Sequence, residues 1–180
     1  VLLTKNNAAH GSGGAVLLRN GVEFTVSKSS VFENNRASDS GGALACAECE
    51  SVLLAGGTRF EGNEAHANGG AVSIVKPGSD DPTNSSGSVF RSNTAETGNG
   101  GAVHAVYGSA GDGKWQSSFE DIFEQNVALE GSGGALFAMG TKTLFEEGAS
   151  CEKNRAMKGG GGCIMWEPLA KTANSSLWNS

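Results

Sequence analysis

Apolar and polar side chains alternate along this chain in short bursts, and the bursts recur. Val22-Glu23-Phe24-Thr25-Val26 alternates with period two and is rich in β-branched and aromatic residues, the pattern of a strand with one buried face. Further alternating pairs are Val16 and Leu18, Leu44 and Cys46, Val72 and Ile74, Val103 and Ala105, Leu136 and Ala138, and Ile164 and Trp166. This phase is expected to face a shared interior. The opposite phase, Ala15, Ala43, Ser73, His104, Phe137 and Met165, is a more mixed set. No window sustains the i, i+3, i+4, i+7 spacing of an amphipathic helix, so the prediction is an all-β chain.

The strands belong to a repeat. An aromatic-x-x-Asn element occurs at Phe32/Asn35, Phe60/Asn63, Phe90/Asn93 and Phe123/Asn126, with degenerate copies at Leu3/Asn6 and Cys151/Asn154. Six or seven residues after each Asn comes Gly-Gly followed by a small residue and an aliphatic, as in Gly41-Gly42-Ala43-Leu44 and Gly69-Gly70-Ala71-Val72. One such unit cannot bury its own apolar face, whereas stacked copies share a continuous core. The expected architecture is a right-handed parallel β-helix of about six rungs, with two or three short strands per turn and the hand set by the preference of parallel crossovers. The units run near 3–31, 32–59, 60–89, 90–122, 123–150 and 151–170, so that 1–170 is the β-helix segment and 171–180 a polar tail or cap.

In such a coil equivalent residues lie above one another at the strand spacing, about 4.8 Å. Phe32, Phe60, Phe90 and Phe123 are therefore expected to form an aromatic stack. Asn6, Asn35, Asn63, Asn93, Asn126 and Asn154 are expected to form an interior ladder, because a carboxamide both donates and accepts along the stacking direction. The alternative is an ordinary turn asparagine with left-handed dihedrals. The glycine pairs suit a sharp corner with close backbone approach. No helix or Lys-Ser/Thr follows them, as a phosphate loop requires. Two polar, turn-rich stretches, Lys76–Gly87 and Gly108–Lys114, read as surface insertions.

Composition narrows the class. Twenty-eight glycines and three prolines in 180 residues fit a repetitive, turn-rich fold. The formal charge of −6, with Lys and Arg scattered singly, argues against a nucleic-acid partner. No apolar run is long enough for a membrane span. The chain starts inside one repeat and stops soon after another, which reads as a segment of something longer.

Candidate chemistry is sparse. Asp80-Asp81 is the one adjacent aspartate pair, and Glu33, Glu61 and Glu124 recur just after the stacked Phe, as a solvated face would. His10, His66 and His104 lie in no metal-ligand spacing, so neither metal nor cofactor is expected. Cys46, Cys49, Cys151 and Cys163 are candidates for disulfides, with simple burial as the other reading. Asn84 and Asn174 head glycosylation sequons.

Phe-x-x-Asn paired with Gly-Gly-Ala-(Val/Leu/Ile) and reiterated from Leu3 to Ile164 resembles the repeats of the polymorphic outer membrane proteins first recognised in chlamydiae, and similar repeat proteins of algae and other microbes. The resemblance implies a right-handed β-helical passenger region at or outside the cell surface, delivered in the chlamydial family by an autotransporter barrel and associated with adhesion. The expectation is a non-catalytic structural or adhesive segment. Its partners are further repeats or another chain at the open solenoid ends, and glycans or host or neighbouring surfaces. The alternative is a polysaccharide lyase or hydrolase built on the same scaffold.

Overall fold

Each motif copy lies directly over the next. Leu3 pairs with Phe32, Phe32 with Phe60, Phe60 with Phe90, Phe90 with Phe123 and Phe123 with Cys151, every pairing parallel. The computed structural model describes residues 1–26, 28–54, 56–76, 83–108, 114–118, 121–140, 142–145 and 148–168, with side chains for all of these but 114–118 and 142–145.

Four parallel sheets wrap the coil. The first stacks Leu2–Thr4, Val31–Glu33, Arg59–Glu61, Val89–Arg91, Ile122–Glu124 and Ser150–Glu152. The second is made of two-residue strands from Asn7–Ala8 to Arg155–Ala156. The third holds the strands that follow Gly-Gly: Val16–Arg19, Leu44–Ala47, Val72–Lys76, Val103–Tyr107, Leu136–Met139 and Ile164–Glu167. The fourth contains Glu23–Val26, Ser51–Leu54, Thr83–Ser86, Lys114–Ser118 and Lys142–Phe145. A turn therefore carries four strands where two or three were expected. The six copies wind about five turns, since the described fourth sheet has only five strands.

The interior is a set of columns. Phe32, Phe60, Phe90 and Phe123 are all buried, as are Leu44, Val72, Val103 and Leu136 in one column and Ala37, Ala65, Ala95 and Ala128 in another. Burying these apolar surfaces drives the winding, because no single turn can hide its own inner face.

Three details of the sequence reading change. The outward residues in register with Ser73 and His104 are Leu17 and Ala45, not Ala15 and Ala43. Ala15 and Ala43 precede their strands at the corner, where the turn adds residues and breaks strict alternation. The stretch Lys76–Gly87 is not all loop: Lys76 ends a third-sheet strand and is fully buried, and Thr83–Ser86 is a strand. The Lys76 ammonium donates to the Glu50 carbonyl at 2.8 Å and lies 5.8 Å from the centre of the Tyr107 ring, which satisfies a charge that burial would otherwise penalise. In the second stretch Lys114 opens a strand, while 77–82 and 109–113 lie outside the described residues.

Candidate functional site

The asparagine positions form a continuous chain of hydrogen bonds. Asn6 Nδ2 donates to Asn35 Oδ1 at 2.9 Å, Asn35 to Asn63 at 2.9 Å, Asn63 to Asn93 at 3.0 Å, Asn93 to Asn126 at 2.9 Å and Asn126 to Asn154 at 2.8 Å. From Asn35 on, the second N–H of each amide reaches the carbonyl of the residue at the aromatic position one turn back, as Asn63 does to Phe32 at 2.9 Å. Each Oδ1 also accepts the backbone N–H of the preceding Asn, 3.0 Å for Asn35 to Asn63. Both donors and both lone pairs of an interior carboxamide are thus used, the condition for burying it without penalty.

A left-handed residue directs these side chains inward, but it is the residue before the ladder Asn. Lys5, Asn34, Gly62, Ser92, Gln125 and Lys153 all have φ between 53° and 62°. Beside the ladder, the phenylalanine rings stack with centroids 4.7, 5.0 and 4.8 Å apart and nearly parallel planes. Cys151 continues that column past Phe123 and is bonded to Cys163, which occupies the place of the Gly-Gly-Ala alanine. Cys46 and Cys49 form the second disulfide, at the end of a third-sheet strand.

A second ladder was missed by the sequence reading. The residue just before each of the first five glycine pairs is Ser12, Ser40, Asn68, Asn99 and Ser132, and each side-chain oxygen accepts the backbone N–H of its counterpart one turn on. The distances are 3.4 Å from Ser40, 3.3 Å from Asn68, 2.9 Å from Asn99, 2.8 Å from Ser132 and 3.1 Å from Gly160. Its signal was a Ser or Asn at one fixed offset from Gly-Gly, inconspicuous because either side chain can supply the acceptor oxygen. Asp39 sits beside this ladder and accepts the hydroxyls of Ser12 at 2.8 Å and Ser40 at 3.2 Å.

The outer surface of the second sheet carries a charged cluster. Arg36 bridges Glu64 at 3.0 Å and Glu96 at 3.4 Å, and His66 Nδ1 lies 2.7 Å from Glu96. The His66 contact holds the Glu96 carboxyl below its ordinary value, while the hydrogen bond to Glu96 and burial push Glu64 up. Glu33 and Glu61 lie in register on adjacent turns, and Arg91 bonds Glu124 at 3.0 Å. Among the described residues no group of three or more His, Cys, Asp or Glu is placed to hold a metal. Asp80, Asp81 and Asn174 lie outside the described residues. Asn84 lies on a fourth-sheet strand, with a buried Oδ1 that makes no hydrogen bond among the described residues.

His104 is the buried histidine of the set, 8% exposed, its ring stacked on Phe137 at 5.4 Å. Burial pushes its pKa down to about 4 from the ordinary 6.5. The folded value lies below the unfolded one, so the unfolded chain takes up the proton first as pH falls. The stability His104 allows is complete above pH 6.5 and declines toward pH 4, by a loss approaching roughly 3 kcal/mol. A His104→Phe variant keeps the stack and is expected to lose about 2 kcal/mol less than the parent between about pH 7 and about pH 4.5. Urea midpoints of both proteins at the two pH values check this, and equal losses would contradict it.

The family model described as the Chlamydia polymorphic membrane protein repeat matches residues 29–47 and 87–106. Two stretches of the chain match the polymorphic membrane protein repeat. The first match contains Phe32, Asn35 and Gly41-Gly42-Ala43-Leu44, and the second contains Phe90, Asn93 and Gly100-Gly101-Ala102-Val103. In both, the family pattern covers the stacked ring, the ladder amide and the glycine corner. No curated protein and no solved structure gives a match to the chain. A β-solenoid of such repeats fits a surface-protein repeat segment.

Proposed function

We propose that this chain is a non-catalytic structural and adhesive segment of an extracellular or cell-surface protein, a rod whose task is to present its faces and to join others end to end. The observation that carries the reading is the in-register stacking of the motif copies: the amide ladder joins all six, and the rings stack through the four copies that have a Phe. Such stacking devotes the repeated positions to shape, and among the described residues it leaves a strand edge at each end that further turns or another chain can pair with. Val1 and Leu2 at one end are 75% and 65% exposed. These apolar groups favour a covering partner over solvent. Two disulfides fit an oxidising compartment.

Sedimentation velocity over a concentration series tests the reading. Reversible growth of elongated species with concentration is expected. A single monomer at every concentration would overturn the end-pairing role.

A further inference from the structure

The outward column of the third sheet has a gap. In register along the axis it reads Leu17, Ala45, Ser73, His104, Phe137 and Met165, one residue per turn. His104 and Phe137 fill their turns with stacked rings. Ala45 and Ser73 fill theirs with a methyl and a hydroxymethyl, so about 10 Å of column stands without a large side chain at the inter-strand spacing. The result is a groove of about 270 Å³, with Leu17 closing one end and His104 the other. Phe137 covers one face of the imidazole, and the opposite face, toward Ser73, borders the groove.

Polar groups stand along this groove. His104 is more than nine-tenths buried, and its Nδ1, itself shut off from solvent, has no hydrogen-bond partner among the described residues, a costly state for a buried polar atom. Asn68 spends its carboxamide oxygen on the Asn99 N–H, so its Nδ2 makes no hydrogen bond among the described residues. Ser73 contributes a hydroxyl, and Asp39 a carboxylate oriented by Ser12 and Ser40. Burial keeps the imidazole neutral at ordinary pH, and the two charged residues lining the groove, Arg19 and Asp39, are of opposite sign.

We infer that this groove binds one neutral pyranose unit of a glycan, seated over Ala45 and Ser73 against the open face of His104. A pyranose has a C–H face for the imidazole and the alanine methyl, and a rim of hydroxyls that both donate and accept. Those hydroxyls suit the Asp39 carboxylate, the Asn68 amide and the Ser73 hydroxyl that line the groove. The volume lies just under the roughly 300–1,000 Å³ of sites for drug-sized ligands, which limits the occupant to a single ring. A flat aromatic side chain would extend the ring stack but would set carbon against Asp39, Asn68 and Ser73, leaving their polar atoms without partners. The assignment rests on the groove alone and does not require the end-to-end pairing proposed above.

Saturation-transfer NMR on the full chain tests it, with methyl glycosides of glucose, galactose, mannose and N-acetylglucosamine as probes and N-acetyltyrosine amide as comparator. At least one glycoside is expected to receive saturation at its ring C–H protons, with millimolar affinity. Ser73→Leu fills the gap and is expected to weaken that binding more than about tenfold, with circular dichroism checking that the variant keeps its sheets. Asn68→Ser keeps an acceptor for the Asn99 N–H but removes the amide donor, and is expected to weaken it about tenfold. Transfer to no glycoside, glycoside transfer that survives Ser73→Leu, or transfer to the tyrosine amide alone would each overturn the proposal.

Discussion

Gly70→Ala is expected to destabilise the protein by at least about 4 kcal/mol, the upper range for a single substitution, because the added methyl has no room and no flexible neighbour. A Cβ at Gly70 would run into the Gly101 carbonyl oxygen on the next turn and into the Thr94 backbone. Both obstacles are main chain held by inter-turn hydrogen bonds, such as Gly70 N–H to Gly100 O at 3.2 Å and Thr94 N–H to Asn63 O at 2.9 Å. Relief would require separating the turns. Its neighbour Gly69 has φ of +65°, so the pair divides the work: the first glycine turns the chain and the second lets the turns approach. Gly162, the equivalent position in the last copy, is the control. There the nearest atom to a new Cβ is the Asn154 carbonyl oxygen at 3.5 Å, an ordinary contact, and Gly162→Ala is expected to be neutral or stabilising by up to about 1 kcal/mol. At roughly 2–4 °C per kcal/mol for a chain of this size, thermal melts of the two variants should differ by roughly 10 °C or more. Midpoints within about 2 °C of each other would contradict the close-approach account.

Asn63→Leu is expected to cost about 4 kcal/mol. The Asn63 side chain donates to Phe32 O and Asn93 Oδ1 and accepts from both the backbone and side-chain nitrogens of Asn35, all in the buried interior. Leucine has similar bulk but answers none of these groups. Each buried donor or acceptor left unpaired costs about 1–3 kcal/mol, and some, such as Asn35 Nδ2 with its second bond to Leu3 O, retain a partner. Asn6→Leu serves as comparison, because Asn6 is exposed and its side chain makes one ladder bond, to Asn35. Thermal melts and native-state hydrogen exchange of the Asn35 and Asn63 amides check the prediction. An Asn63→Leu midpoint no lower than that of Asn6→Leu would show that the ladder contributes little.

Both predictions concern positions that could be picked out by eye, for a physical reason. In a coil with one residue per turn in each column, any residue type that packs well against itself is selected at a fixed interval, so register is written as repetition. Phe32 over Phe60 and Asn63 over Asn93 follow from that rule. The Ser/Asn ladder escaped because its chemistry repeats while its residue type does not. Lys76 was misread for the opposite reason: a charged residue beside Pro77 and Gly78 looks like loop, and only the Glu50 carbonyl and the Tyr107 ring, distant in sequence, explain its burial. The glycine corner shifted the phase of the outward column, since turn residues do not keep the period of two on which alternation depends.

Sequence by itself determined the parallel coil, the aromatic stack, the asparagine ladder and the glycine corners, because all of these are contacts between equivalent positions and so appear as period. Tertiary structure alone decided the four-strand turn, which cysteines pair, the burial of Lys76 and His104, and the groove over Ala45 and Ser73. Those features join unlike residues or arise where one column lacks a side chain that its neighbours have. Neither a contact between different positions nor an empty space leaves a repeating mark in the chain.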